Sequence, residues 1–347
     1  MEKQDIRALD LEQLTSWFIA HGEKSFRAKQ VFEWIWKKSV TGFSEMTNLS
    51  KDLRALLETN FQFFPVSIAE EQVSNDGTIK VAFQLAEGHV VEGVLIPTEK
   101  RMTACISSQV GCSLSCAFCA TGRLKRMKNL SAGEIYDQVV LINNIALAKY
   151  KKPLSNIVYM GMGEPLMNLK GLLESVDKIT SPNGLGMSPK RITVSTAGIS
   201  RAIMRLADED VKFNLALSLH AATDEKRDSI MPINQSNTLD SLAESLIYFR
   251  KKTQKTITYE YIIFKDFNDG IADARELMKF CQRVPAKINI IEYNPIDGGE
   301  FEKSPIERVD EFAHYLEQHD IQVNIRRSRG KDIDAACGQL ANKNDAA

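Results

Sequence analysis

From about Arg101 onward the chain alternates between strand-like and helix-like segments, and this alternation constrains the fold more than any other feature of the sequence. Runs rich in apolar and β-branched residues predict strands at Thr103–Ser108, Asn156–Met160, Arg191–Ser195, Phe213–Leu219, Thr256–Phe264, Lys287–Tyr293 and Gln322–Arg326. Helical spacing of apolar residues begins between them near Ser131, Leu169, Ile199, Leu239, Ile271 and Pro305. Ser131-Ala-Gly-Glu134 has the form of a capping box, which fixes the first of those helix starts. Repeated strand–helix units pack as a parallel sheet covered by helices, either open and doubly wound or curled into a barrel.

The special residues choose between the two. A cysteine cluster follows the first strand, Gly161-Met-Gly163-Glu164 the second, and Asn294-Pro295 the sixth. Ser195-Thr-Ala-Gly198 ends the third strand and Ser218-Leu-His220 the fourth, while Arg326 to Arg329 and then Cys337 follow the seventh. Six strands feeding one rim suit a barrel mouth, whereas an open doubly wound sheet concentrates function at one switch point. The expected fold is therefore α/β, a full or partial (β/α) TIM-like barrel. Upstream, Asp10–His21, Arg27–Lys38 and Asn48–Asn60 repeat at helical period. Val66–Val73, Thr78–Leu85 and His89–Ile96 alternate as strands around the turn signal Asn75-Asp76-Gly77. This predicts a small helical N-terminal accessory domain over 1–62, a β-rich extension over 63–100, and a barrel with a C-terminal loop over 101–347.

With 44 Lys+Arg against 45 Asp+Glu the chain has a net charge of −1, which excludes a histone-like polycation but not local basic patches. No segment approaches the roughly 20 apolar residues of a membrane span, and Met1-Glu2-Lys3-Gln4-Asp5 does not begin a signal sequence. A cytoplasmic location is expected, and in that reducing compartment the six cysteines are not a disulfide framework. Their spacing agrees, because Cys105, Cys112, Cys116 and Cys119 crowd together while Cys281 and Cys337 lie far downstream.

Cys112-Ser-Leu-Ser-Cys116-Ala-Phe-Cys119 places three thiols within eight residues, and Gly111 and Thr121-Gly122 suit a loop that wraps one metal centre. No fourth ligand is near, so a coordination position stays open, as in reactive rather than structural sites. Thiolates select zinc or iron–sulfur, and the absence of a paired C-x2-C or a nearby His favours iron–sulfur. Inert buried thiols are the bland alternative.

The C-x3-C-x-aromatic-C pattern after the first strand, with Phe118 as the aromatic, resembles the radical S-adenosylmethionine superfamily. Further segments resemble one family within it, the dual-specificity RNA methyltransferases acting on C2 of adenine in 23S rRNA and tRNA. These are Val91-Glu-Gly-Val-Leu-Ile-Pro97, Cys105-Ile-Ser-Ser-Gln-Val-Gly-Cys112, Gly161-Met-Gly-Glu-Pro-Leu166, Ser218-Leu-His-Ala221, Met231-Pro-Ile-Asn234 and Asp334-Ala-Ala-Cys-Gly-Gln-Leu340. The resemblance implies that Cys112, Cys116 and Cys119 hold a [4Fe–4S] cluster whose fourth iron binds S-adenosylmethionine, two molecules being used per turnover. It further implies cofactor contacts at Gly163, Glu164, Ser195, Ser218, Leu219, His220 and Asn294. The backbone of Ser218 to His220 could matter more there than the imidazole.

The resemblance also makes Cys337 a methyl carrier, Cys105 the thiol that resolves a covalent RNA adduct through a transient disulfide, and Glu92 a proton acceptor. It leaves open whether Glu92 or Cys105 takes the C2 proton. Adenine C2 lies between two ring nitrogens and is too electron-poor to attack a methyl cation donor, so radical addition is the workable route. Local sequence alone would put Glu92 on a wet sheet face, and Cys281, inside a helical pattern, reads as structural. An external electron donor such as flavodoxin and a monomeric enzyme complete what the resemblance implies.

Arg123-Leu-Lys125-Arg126-Met-Lys128 and Arg326-Arg327-Ser-Arg329-Gly-Lys331 fall on the expected rim and could grip phosphates. Lys24, Arg27, Lys29, Lys37 and Lys38 interleave with Phe26, Phe32, Trp34 and Trp36, of which Trp34 could stack on a base, although most of these aromatics would be core. A sister group methylates C8 of the same rRNA adenine with the same cysteines, and Pro165 favours the C2 group. Two remoter readings are a radical enzyme acting on a peptide or metabolite and a non-enzymatic iron–sulfur electron carrier or RNA-binding sensor.

Overall fold

The structure is a computed structural model and describes residues 3–342. Three helices, α1 (Leu11–Ala20), α2 (Phe26–Trp36) and α3 (Lys51–Asn60), pack their apolar faces into a core continuous with that of the sheet. Asp10 and Ser50 cap α1 and α3. Buried Arg7 ties this unit to the rest of the chain, pairing with Asp137 at 2.6 Å and Asp5 at 3.1 Å.

Strands β1 (Ser67–Val73), β2 (Ile79–Gln84) and β3 (Val90–Pro97) form an antiparallel meander. Its first turn is the Asn75-Asp76-Gly77 hairpin, with Gly77 N–H on the Ser74 carbonyl at 3.0 Å. β3 joins β4 (Met102–Cys105) antiparallel, and from β4 the sheet is parallel. The parallel run continues through β5 (Asn156–Tyr159), β6 (Ile192–Thr196), β7 (Asn214–Ser218), β8 (Ile257–Ile263), β9 (Ala286–Glu292) and β10 (Val323–Arg326). Helices α4 (Ala132–Tyr150), α5 (Leu169–Thr180), α6 (Ser200–Asp208), α7 (Asp224–Ile230), α8 (Leu239–Thr253), α9 (Ile271–Arg283) and α10 (Ile306–Glu317) connect the strands.

The ten strands lie in chain order, β10 at one edge and β1 at the other, with no reversal. Right-handed crossovers in one direction stack every helix on one face, so a twisted sheet of this topology curls around its other face. β4 and β10 do not pair. Residues of both nevertheless line one cavity, so the two ends of the parallel run face each other. The barrel is partial, one of the two forms the sequence predicts: the antiparallel extension occupies the β4 edge that closure would need.

The Ser131 capping box forms as expected, with Glu134 N–H on the Ser131 hydroxyl and Ser131 N–H on the Glu134 carboxylate. The short helix α7 was not anticipated; its sequence signal is Thr223 followed by Asp224 and Glu225, an N-cap and an acidic first turn. Among the described residues no helix is long and apolar enough to cross a membrane.

Candidate active site

Two adjoining cavities open at the C-terminal ends of the parallel strands. The first is lined by Cys112, Cys116 and Cys119 together with Gly163, Glu164, Ser195, Ser218 and His220. The second is lined by Cys105, Arg101, Asn324, Arg326, Arg327 and Arg329. Cys337 lines both, as do Cys119, Thr121 and Gly338. The downstream cysteine thus stands in the wall between the cluster thiols and the thiol of Cys105.

The cysteine loop is held by its backbone. Ala117 N–H bonds the carbonyl of Ile230 at the end of α7, and Ala120 N–H bonds that of Gly338. Phe118 turns inward and packs edge-on against His220, with centroids 4.7 Å apart. All six cysteines are free. Burial pushes the Cys112 thiol up to about 11 and raises Cys116 and Cys119 as well. Three desolvated sulfurs on one cavity wall fit a group that takes thiolates and supplies its own positive charge. No three His, Cys, Asp or Glu among the described residues converge tightly enough for a single ion.

Glu164 is buried, with Oε1 accepting Leu166 N–H at 3.0 Å and Oε2 accepting Ala197 N–H at 2.7 Å. The Thr196 side chain also bonds this carboxylate, which lines the first cavity. Gly163 has φ +92°, and a Cβ there would lie 2.4 Å from Gln109 Cβ, so only glycine fits. Ser195 and Ser218 share a hydroxyl hydrogen bond at 3.2 Å. His220 Nδ1 accepts Ile262 N–H at 3.0 Å, and burial, with Arg227 adding to it, pulls its pKa down to about 3. The ring is neutral, with its proton on Nε2.

Three expected site residues line neither of these two cavities. Leu219 is fully buried, its N–H on the Glu260 carbonyl and its own carbonyl on Arg227 Nε. Asn294 donates Nδ2 to the Cys337 carbonyl at 3.4 Å. Glu92 is 3% exposed, not on a wet face. It pairs with Lys80 at 3.4 Å and accepts the backbone N–H of Ala341 at 2.8 Å and of Asn342 at 3.3 Å. The segment that covers it comes from the far end of the chain, which local sequence could not show.

Burial pushes the Cys105 thiol up to about 12, Cys337 adds to this, and the Met160 backbone and Arg326 hold it back. Cys337 is raised by burial and by Glu260 and Cys119, against Arg326.

Two residues escaped sequence reasoning. Arg227, fully buried, donates to the carbonyls of Ala197, Ser218 and Leu219 and to Asn234 Oδ1, so it braces two strand ends that line the first cavity. Glu260 lines that cavity and pairs with Arg326.

The rim cations are less free than the sequence suggests. Lys128 pairs with Glu87 and Glu134, and Arg123 donates to the carbonyls of Asp297 and Gly298. Arg327, Lys303 and Lys331 share the single carboxylate of Glu292, which leaves an excess of positive charge beside the second cavity. In the N-terminal unit Phe32 and Trp36 are core, and Lys38 lies 3.4 Å over the Trp34 ring.

Comparison with known proteins decides the family. Residues 4–62 match the family model described as the ribosomal RNA large subunit methyltransferase N-terminal domain, and residues 106–281 match the radical SAM superfamily. The probable dual-specificity RNA methyltransferase RlmN of Cytophaga hutchinsonii is 57% identical over 99% of this chain and 94% of its own length. The chain belongs to the RlmN family of dual-specificity RNA methyltransferases. The dual-specificity RNA methyltransferase RlmN of Geotalea uraniireducens is 41% identical over the whole chain and 99% of its own length. The crystal structure of a radical SAM methyltransferase from Sphaerobacter thermophilus superposes with a TM-score of 0.91 at 36% identity, covering 97% of this chain and 99% of that one. It is a radical SAM enzyme, and the family implies a [4Fe–4S] cluster and S-adenosylmethionine.

Proposed function

We propose that the chain methylates C2 of adenine in 23S rRNA and in tRNA, with Cys337 carrying the methyl group between the two cavities. The observation that carries this reading is the position of Cys337, which lines the cavity of the cluster thiols and also the cavity of Cys105. Cys112, Cys116 and Cys119 would hold the cluster by three thiolates, leaving one iron for S-adenosylmethionine. Glu164 and Gly163 would orient its methionyl end, and Ser195 and Ser218 would line its seat. Bound there, cluster and cofactor supply an activated methyl group and, after reduction, a carbon radical, two cofactor molecules being consumed per turnover.

The remaining steps belong to side chains of this protein. Cys337 Sγ accepts the methyl group, loses a hydrogen atom from it, and adds the resulting methylene radical to adenine C2. The adduct would return one electron to the oxidised cluster and give the C2 proton to Cys105 or Glu92. Cys105 then attacks Cys337 Sγ, breaking the sulfur–methylene bond and forming the Cys105–Cys337 disulfide. The bonding pair stays on the methylene carbon, which takes a proton to become the product methyl group. Two reducing equivalents from a donor return the thiols. Such a bond is transient and suits a cytoplasmic enzyme.

Arg101, Arg327 and Arg329 line the second cavity, and with Lys125 and Arg126 they would hold phosphates around an adenine flipped into it. The N-terminal helices would extend that grip over 1–62. An external low-potential donor such as flavodoxin and a monomeric state belong to the same reading.

Peptide mass spectrometry of the reconstituted enzyme, supplied with S-adenosylmethionine but no RNA, tests the assignment. A mass gain of one CH2 on the Cys337 peptide is expected. An unmodified Cys337 with a methylated product would overturn it. Analysis of the product nucleoside distinguishes C2 from C8.

A further inference from the structure

The segment that carries Cys337 is fastened at both ends to the antiparallel extension, in addition to its bonds with the barrel and the cysteine loop. On the entry side, Ser74 Oγ and Asn75 N–H, in the β1–β2 turn, donate to the two carboxylate oxygens of Asp332, the backbone bond being 3.0 Å. In return Asp76 accepts Gly330 N–H at 3.0 Å and pairs with Arg329. Gly330 has φ +67°, and a Cβ there would stand 2.7 Å from Ala335 Cβ and 2.9 Å from Thr78 Cγ2, so the turn is fitted against the extension. On the exit side, Glu92 Oε2 accepts the N–H groups of Ala341 and Asn342, and Asn342 Nδ2 donates to the Val90 carbonyl at 2.6 Å.

The geometry of the strands explains the exit latch. Lys80 pairs with Val94 and Ala82 with Glu92 across β2 and β3, so Lys80 and Glu92 are diagonal neighbours on one face. Residues of the opposite face, Val81, Phe83 and Val91, belong to the main core. The face bearing Lys80 and Glu92 would be wet, and would carry a charge pair of little value, without the C-terminal segment over it. With that segment in place, Glu92 Oε2 is spent on two backbone N–H groups and Oε1 on Lys80.

We propose that the β1–β3 extension is a clasp that registers the Cys337 loop between the two cavities, and that Glu92 is its principal positioning residue. A loop that must present one sulfur first to the cofactor and then to a base and a second thiol needs fixed ends and a mobile centre. The stretch between the two latches carries the small residues Ala335, Ala336 and Gly338 around Cys337. The catalytic meaning of the clasp rests on Cys337 being the methyl carrier; its existence does not, and its test needs no turnover.

Full-length protein with its cluster reconstituted is compared as wild type, Glu92→Gln, and the double variant Lys80→Met with Glu92→Leu. The amide carbonyl of Gln can still accept the two N–H groups but cannot act as a base. The double variant removes the acceptor without stranding a buried charge. Hydrogen exchange of peptides spanning 335–342 and thiol labelling of Cys337, with buried Cys281 as internal control, are the readouts. Exchange and Cys337 labelling are expected to rise by about tenfold in the double variant, from loss of two hydrogen bonds to a carboxylate, and by less in Glu92→Gln, which keeps an acceptor for the two N–H groups but turns its NH2 toward Lys80. Unchanged exchange and labelling in the double variant would overturn the clasp. If the double variant does not fold, Asp332→Ala, at an exposed site on the entry side, is read over 328–334, where faster exchange supports the clasp and unchanged exchange overturns it.

Discussion

Glu260 and Arg326 form an ion pair across the wall of the two cavities, Oε2 to Nη1 at 3.0 Å. Glu260 faces the cavity of the cluster thiols and Arg326 the cavity of Cys105. Asn289, on the strand between them, donates Nδ2 to the other carboxylate oxygen at 2.8 Å. The pair therefore spans β8 to β10 at the open side of the partial barrel. Its cation holds down the thiols of Cys105 and Cys337, while its anion raises that of Cys337.

Replacing Arg326 by Gln is expected to slow disulfide formation between Cys105 and Cys337. With the cation gone the thiols rise further and a smaller thiolate fraction is present at neutral pH. The rate of diamide-driven oxidation should fall on the order of tenfold, and its pH profile should move toward alkaline values. The variant also leaves Glu260 buried without its cation, at a cost of about 2 kcal/mol once the partial exposure of Arg326 is discounted. An unchanged oxidation profile would show that the pair is structural only.

Removing a proposed cluster ligand and removing either of the two outer thiols should have separable effects. Cys116→Ala is expected to lose iron and the visible absorbance of the cluster together with all product. Cys337→Ala and Cys105→Ala are expected to keep iron and absorbance while product formation falls by about 10^3-fold or more. Iron analysis beside product assay decides the matter: loss of the cluster in Cys337→Ala would place that residue in the ligand set instead.

His220 sets a pH dependence of stability. Its folded pKa is about 3, depressed below the ordinary value of 6.5 by burial and by Arg227. The unfolded chain therefore binds a proton that the folded chain refuses as pH falls below about 6.5, and stability is lost in that window. Between pH 7 and pH 5 the loss from this group is about 2 kcal/mol. His220→Asn keeps an acceptor for Ile262 N–H and should flatten that part of the curve in urea titrations. An unaltered slope would mean that other groups dominate.

Arg227→Met should unfold the floor of the first cavity more than any surface change. It strips a donor from the carbonyls of Ala197, Ser218 and Leu219 and from Asn234. A destabilisation of about 4 kcal/mol is expected, with Arg227→Lys intermediate because it keeps the charge and some of the bonds. Thermal unfolding measures it, and a loss under about 1 kcal/mol would contradict the bracing role.

What the sequence revealed and what it hid divide by range. The strands, the capping box at Ser131 and the cysteine loop are written in residues a few positions apart, and all form where the pattern puts them. The site residues at strand ends were legible because parallel topology brings every such end to one rim. Glu92 looked exposed because the residues that bury it, Ala341 and Asn342, lie about 250 positions away. Arg227 looked like one more charge on a short helix, and only the fold shows three carbonyls converging on it. Whether the barrel closes stays open in the sequence for a similar reason, since the extension that occupies the β4 edge reads only as a preceding run of strands.

The cysteine loop and the Cys337 loop are bonded directly, which would couple cluster binding to the proposed methyl carrier. Ala120 N–H donates to the Gly338 carbonyl at 2.7 Å, and Thr121 Oγ donates to the Leu340 carbonyl at 2.6 Å. Both donors lie within two residues of Cys119, so whatever fixes that thiolate also fixes the two carbonyls flanking Gln339. Chelating the iron should therefore loosen residues 336–341 while leaving the β1–β3 hairpins unchanged. Hydrogen exchange before and after anaerobic chelation measures this. The amides of 336–341 are expected to exchange several-fold faster without the cluster, roughly what losing two hydrogen bonds allows. Thr121→Val should reproduce part of that loosening with the cluster still bound. Equal exchange with and without iron would mean that the clasp on the extension alone holds the loop, and that the bonds to the cysteine loop add nothing to its order.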